Sequence, residues 1–151
     1  MRGKSFFLDT NILLSATDRS RPDFSAARRV FTEAVPQGYH LCISPQIIRE
    51  YLVVATRPVS VNGLGLSTQN AIDNIEHFRK RTLLLEENNQ SAAELLSLLS
   101  RYTITGKKIH DAHIAALMVH HVIPTLITCN IQDFEQFAEI SLETPESFLR
   151  R

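Results

Sequence analysis

Phe6-Phe7-Leu8-Asp9-Thr10-Asn11-Ile12-Leu13-Leu14 is the stretch on which the fold turns. Three apolar residues without polar alternation have the length and composition of a short strand buried on both faces. A single acid follows, and Thr10-Asn11 then opens what reads as a helical turn over Ile12-Leu13-Leu14. A buried strand running straight into a helix is the start of an α/β unit, and in open parallel sheets ligands bind outside the carboxyl ends of the strands. Asp9 occupies such an end. Asp at a strand-to-helix junction also caps helices, so this stretch leaves Asp9 two roles, cap and ligand.

The same alternation continues along the chain. Leu41-Cys42-Ile43, Thr82 to Leu85, Thr125 to Thr128 and Ile140 to Leu142 are further short apolar runs of buried-strand character. Between them, helical patterns cover Phe24 to Ala34, Pro45 to Thr56, Ser67 to Arg81, Ser91 to Leu99 and Ile109 to His120. Ser44 before Pro45 reads as an N-cap followed by Pro at the first helical position, Pro58 closes that helix, and Ser91 with Glu94 reads as a capping box. Asn62-Gly63 and Gly65 make Arg57 to Leu66 a turn-rich loop. Strands alternating with helices pair in parallel through right-handed crossovers. The prediction is α/β: a three-layer α/β/α sandwich around a central, mostly parallel five-stranded sheet, in one domain over residues 1–151.

Composition narrows the function classes. The 151 residues carry 16 Lys+Arg against 16 Asp+Glu and 44% hydrophobic residues. A chain of this length buries roughly 70% of its unfolded surface, enough for a core without disulfides. It is too apolar for a disordered chain, and no window approaches the roughly 18 uncharged apolar residues a membrane span needs. The basic start Met1-Arg2-Gly3-Lys4 is like a signal n-region, but Asp9 interrupts the apolar run too early, so a cytoplasmic, membrane-free protein is expected. Cys42 and Cys129 have no metal-type spacing and read as buried free thiols. Zero net charge argues against a general polyanion binder, whose affinity comes from phosphate neutralisation.

Three more acids stand out. In the Pro45 to Thr56 pattern, Ile47, Glu50, Tyr51 and Val54 share one face, which puts Glu50 inside the apolar stripe. A buried carboxylate needs a partner, either a ligand or an ion pair with Arg49 or Arg57. Asp111 borders the buried face of the Ile109 to His120 helix, where an acid in the first turn also suits the helix dipole. Asp133 follows the fourth apolar run and, with Gln136, doubles as a capping box for a short helix over Phe134 to Phe137. Asn130, nearer the strand end, offers a neutral oxygen or a turn residue. Gathered in one cleft, Asp9, Glu50, Asp111 and Asp133 would repel one another unless a divalent cation compensated them, and hard oxygens suit Mg²⁺ or Mn²⁺.

At these residues the chain resembles the PIN-domain ribonucleases, most closely the VapC-like toxins of bacterial type II toxin–antitoxin pairs. The pieces that carry the likeness are Phe7 to Leu14, Ser44 to Tyr51 with Ala55-Thr56-Arg57-Pro58 after it, Ile109 to Ala116, and Thr128 to Phe134, in that order. The resemblance implies that Asp9, Glu50, Asp111 and Asp133 form an acidic quartet around Mg²⁺ or Mn²⁺ and that metal-activated water cleaves RNA phosphodiester bonds. It implies further that Thr10 or Asn11 orients a metal water or the scissile phosphate. A homodimer and a cognate antitoxin that inserts into the active-site groove are the partners it implies. One position departs from the family pattern, since many relatives have Asp where this chain has Asn130. A non-catalytic or non-toxin PIN-like module that binds RNA or protein is therefore the alternative, and a DNA-directed or phosphatase-like metal hydrolase fits the same spacing.

The remaining features are read as ordinary surface or core. His110, His113, His120 and His121 share one helix without HExxH or a cysteine, so a solvated helix end is preferred to a zinc site. Ala71, Ile72, Ile75 and Phe78 make one face of the predicted Ser67 to Arg81 helix, preferred as core over a dimer contact. Among the basic residues, Arg19 to Arg21 and Lys107-Lys108 are the candidates for phosphate contact. With four acids gathered in one cleft the rest of the surface would carry about +4, a mildly basic rim around an acidic centre.

Overall fold

The computed structural model describes residues 4–151, so the basic start at Met1 to Gly3 lies outside the described residues. The first strand, β1 (Ser5–Leu8), is the centre of the sheet, with Phe6, Phe7 and Leu8 buried on both faces. Strand β2 (His40–Ile43) pairs with it on one side and β4 (Thr125–Ile127) on the other. The edges are β3 (Leu83–Leu84) and β5 (Ser141–Glu143), giving the order β3-β2-β1-β4-β5 with every pair parallel. The helices are α1 (Thr10–Thr17), α2 (Phe24–Glu33), α3 (Pro45–Thr56), α4 (Thr68–Arg79), α5 (Asn89–Leu99), α6 (Lys108–His121) and α7 (Pro145–Leu149).

The direction of strand addition reverses at β1. Right-handed crossovers therefore place α1 to α4 on one face and α5 and α6 on the other, and α1 packs on α2 and α3 while α5 packs on α6. The reversal also leaves a crevice between the carboxyl ends of β1 and β4, the place where an open parallel sheet binds ligands. The core is continuous, from the Phe6 and Phe7 layer through Ile47 and Tyr51 of α3 to Ala112, Ala115 and Met118 of α6.

Several boundaries differ from the sequence reading, each for a local reason. The third strand is two residues long and forms an exposed edge, with Leu83 52% and Leu84 43% exposed. Helix α5 begins earlier than expected: Asn88 is the cap, accepting from the Ser91 N–H at 2.9 Å while the Ser91 hydroxyl accepts from the Asn88 N–H at 2.8 Å. Ser91 thus closes the box at the third position after the cap instead of opening it, and Glu94 has no part in it. No helix forms over Phe134 to Phe137. Asp133 instead closes a single 3₁₀ turn, Ile131–Asp133, and successive tight turns bury Phe134 and Phe137. Burial of both Phe134 and Phe137 in the core draws the backbone into these turns in place of a helix. Cys42 is buried and Cys129 only half-buried, both as free thiols that burial pushes up, to about 11 and about 12. On α4, Ala71 and Ile75 are buried and Phe78 packs against Phe31 and Tyr51, whereas Ile72 is 39% exposed. Among the described residues no helix is long and apolar enough to cross a membrane.

Candidate active site

Asp9 lies at the switch point. Its N–H continues the ladder from β1 by donating to the Ile127 carbonyl of β4 at 3.1 Å. One carboxylate oxygen caps α1, accepting from the Thr10 N–H at 2.7 Å. The other accepts from the Thr128 hydroxyl at 2.8 Å and the Asn11 amide at 3.1 Å. Asn11 and Thr128 also organise the chain beyond β4: the Cys129 N–H donates to the Asn11 side-chain oxygen at 3.1 Å and the Asn130 N–H to the Thr128 hydroxyl at 3.0 Å. Asn11 is thus a brace between two strand ends. Asn130 itself is exposed.

Glu50 approaches from α3. One of its oxygens accepts from the Thr10 hydroxyl at 2.7 Å and the other from the Gln46 amide at 2.8 Å. Neither arginine offered by the sequence pairs with it: Arg49 lies 3.8 Å from Glu87 and Arg57 donates to the Asn62 carbonyl at 3.3 Å. Ser44 stands at the N-cap position of α3, but its hydroxyl is buried without a partner. Glu87, from the segment after β3, takes that role by accepting from the Gln46 N–H at 3.0 Å, where its charge also suits the helix dipole.

Asp111 sits in the first turn of α6 and Asp133 at the end of the 3₁₀ turn after β4. Asp9 and Asp111 both sense the charges of Glu50 and Asp133. Burial pushes the Asp9 carboxyl up to about 6, with the charges of Glu50 and Asp133 adding to it and the Thr128 and Thr10 hydrogen bonds opposing. Asp111 is pushed up to about 7 by burial, then by the charges of Asp9, Asp133 and Glu50, against a smaller pull from Lys108. Among the described residues, however, no three His, Cys, Asp or Glu side chains close into a metal cage. Carboxylate oxygens are the donor type Mg²⁺ takes, one or two at a time with several waters kept, so Asp9, Glu50, Asp111 and Asp133 are the residues that could hold one.

His113 differs from the expectation of a solvated helix end. Its Nδ1 contacts the Gln46 side-chain oxygen, its Nε2 lies 3.6 Å from Glu87, and burial holds it below the usual histidine range. The basic candidates divide: Arg21 pairs with Asp18 at 3.4 Å, while Arg19, Lys107 and Lys108 are exposed. Gln46, Glu87 and Thr128 escape a reading of the sequence. Gln46 carried the only available signal, a polar residue just inside a helix start and one turn before Glu50. A cavity of about 840 Å³ lined by Lys4, Phe6, His40, His121 and Arg151 lies at the amino end of the sheet, away from these acids.

The fold and this acidic strand-end arrangement define a parallel α/β domain with its polar centre at the β1–β4 crevice. The model of the PIN domain matches residues 6–140, and the chain belongs to the PIN-domain family. Ribonuclease VapC48 of Mycobacterium tuberculosis is 28% identical over 141 residues, 92% of this chain and 96% of the relative. Ribonuclease VapC24 of the same organism is 28% identical over 131 residues, 86% of this chain and 89% of the relative. Among solved structures, DNA-bound VapBC from Salmonella typhimurium superposes with a TM-score of 0.69 at 21% identity, covering 94% of this chain and 98% of the other. VapC20 of Mycobacterium tuberculosis, described as a Sarcin-Ricin loop cleaving toxin, gives a TM-score of 0.65 at 13% identity, covering 89% and 98%.

Proposed function

We propose that this chain is a Mg²⁺- or Mn²⁺-dependent endoribonuclease and the toxin of a type II toxin–antitoxin pair, acting in the cytoplasm as a homodimer. The observation that carries the reading is the convergence of acids beside the sheet's switch point, where the charges of Glu50 and Asp133 reach both Asp9 and Asp111, in a chain related to proteins named VapC ribonucleases. Asp9, Glu50, Asp111 and Asp133 would hold the cation. When bound, it supplies charge compensation and a water of lowered pKa for attack on a phosphodiester. The chain's own contribution is positional: Thr128 and Asn11 orient Asp9, and Thr10, through its hydroxyl and its N–H, ties Glu50 to Asp9. The antitoxin would neutralise the protein by inserting into the active-site groove.

Expression of the wild-type chain without its antitoxin should arrest growth, and Asp9→Asn should abolish the arrest while the purified variant keeps its fold. Equal arrest by both would sink the catalytic assignment of Asp9. Purified protein that leaves structured RNA intact with both Mg²⁺ and Mn²⁺ would remove the nuclease reading. The second reading, a non-catalytic module, is favoured by the open spacing of the acids. Calorimetric titration with Mn²⁺ separates the two, since a degenerate site takes up no metal.

A further inference from the structure

Gln46 is 2% exposed, and every polar atom of its side chain is engaged. Its amide nitrogen donates to Glu50 at 2.8 Å and to the His110 carbonyl at 2.9 Å, and its oxygen meets His113 Nδ1. The amide cannot be turned over: the flipped group would set its oxygen against a carboxylate and a carbonyl, two acceptors with no hydrogen to share. Nδ1 of His113 must therefore be the protonated nitrogen. The far side of the imidazole faces Glu87, and Glu87 in turn accepts from the backbone N–H of Gln46. At 3.6 Å the Glu87 contact is longer than a hydrogen bond, so the Gln46 amide is fixed by Glu50, the His110 carbonyl and His113 Nδ1.

The two bonds donated by this amide reach two different helices. One reaches the carboxylate of Glu50 on α3, and the other reaches the carbonyl of the residue immediately before Asp111 on α6. These helices lie on opposite faces of the sheet. A single amide nitrogen thus links the carboxylate of Glu50 to the backbone just before Asp111, and its own orientation is locked from behind by His113.

We propose that Gln46 is a positioning residue that sets the separation of Glu50 and Asp111, and hence the affinity of the acidic centre for a divalent cation, with His113 holding the amide in register. This rests on the metal-dependent reading above. Groups hydrogen-bonded to metal-ligating side chains commonly influence metal affinity by roughly 10- to 100-fold. Gln46→Met keeps the length and volume of the side chain and removes the amide. It should weaken Mn²⁺ binding, measured by calorimetry on the full chain, by roughly 10-fold or more. A double-mutant cycle separates positioning from general loosening: in a Glu50→Gln background, Gln46→Met should have little further effect on Mn²⁺ affinity.

Mn²⁺ binding by Gln46→Met as tight as wild type overturns the proposal, as does an undiminished effect of Gln46→Met in the Glu50→Gln background. A wild-type chain that takes up no Mn²⁺ overturns the metal reading beneath it and the proposal with it. Should Gln46→Met fail to fold, His113→Leu provides the readout, because it frees the amide to turn while leaving α3 intact. Its Mn²⁺ affinity should fall several-fold, and an unchanged affinity overturns the proposal.

Discussion

Asp9 performs two tasks with two oxygens. The oxygen that caps α1 satisfies a backbone donor left over at the helix start. The other is held by Thr128 and Asn11 at the mouth of the crevice. The cap and ligand readings of this residue are therefore compatible, since one group can fix the helix while its other oxygen faces the site. Thr128 decides how well that oxygen is held, and its hydroxyl also receives the Asn130 N–H. Thr128→Val keeps the shape, leaves that donor without its partner and removes a hydrogen bond to a charged group. Urea unfolding at pH 7.5 should register a loss of about 1–3 kcal/mol, and RNA cleavage should fall with it. An unchanged unfolding midpoint would mean that the hydroxyl is not part of the support for Asp9.

Helix α3 shows which element boundaries local chemistry determines. Its C-terminus follows from the residue before Pro58, whose extended conformation at φ −66°, ψ 143° cannot continue a helix. Its N-terminus was legible as a position, but not as a mechanism, because Ser44 stands at the cap while a distant carboxylate, Glu87, supplies the hydrogen bond. The loop after α3 then folds back on it. Leu64, Gly65 and Leu66 donate to the carbonyls of Val54, Arg57 and Ala55 at 2.9–3.0 Å, satisfying the helix end. That close return requires Gly63, because a Cβ there would fall 1.8 Å from the Arg57 carbonyl oxygen. Gly63→Ala should destabilise the chain by about 2–4 kcal/mol, read as a shift of the denaturant midpoint at constant slope. A neutral result would show that the loop can lift off α3 without loss.

The whole molecule carries its electrostatic strain at one end of the sheet. Asp9 and Asp111 have folded-state pKa values near 6 and 7, above the 3.8 of the unfolded chain. Between about pH 4 and 7 the folded state therefore binds more protons than the unfolded one, and stability is lost as pH rises through 6 to 7. For Asp9 alone the loss is on the order of 3 kcal/mol. The metal-free chain should melt at a higher temperature at pH 5.5 than at pH 8, and Asp9→Asn should flatten that profile. Added Mg²⁺ should restore more stability at pH 8 than at pH 5.5, because only the ionised set attracts it. A metal-free melting temperature that rises with pH over this window would contradict the coupling.

The alternation of short apolar runs with amphipathic stretches determined the α/β class and the five strands from the sequence alone, because burial on two faces and burial on one leave different periodicities. The positions of Asp9, Glu50, Asp111 and Asp133 at strand ends and helix faces were legible for the same reason. Strand order was not, since parallel pairing joins residues as far apart as Leu8 and Ile127. Only the tertiary structure decided that the segment after β3 brings Glu87 to the start of α3, and that Gln46 reaches from Glu50 to the His110 carbonyl. Local propensity acts within a few residues, whereas a hydrogen bond across 41 or 64 positions is created by how the layers pack.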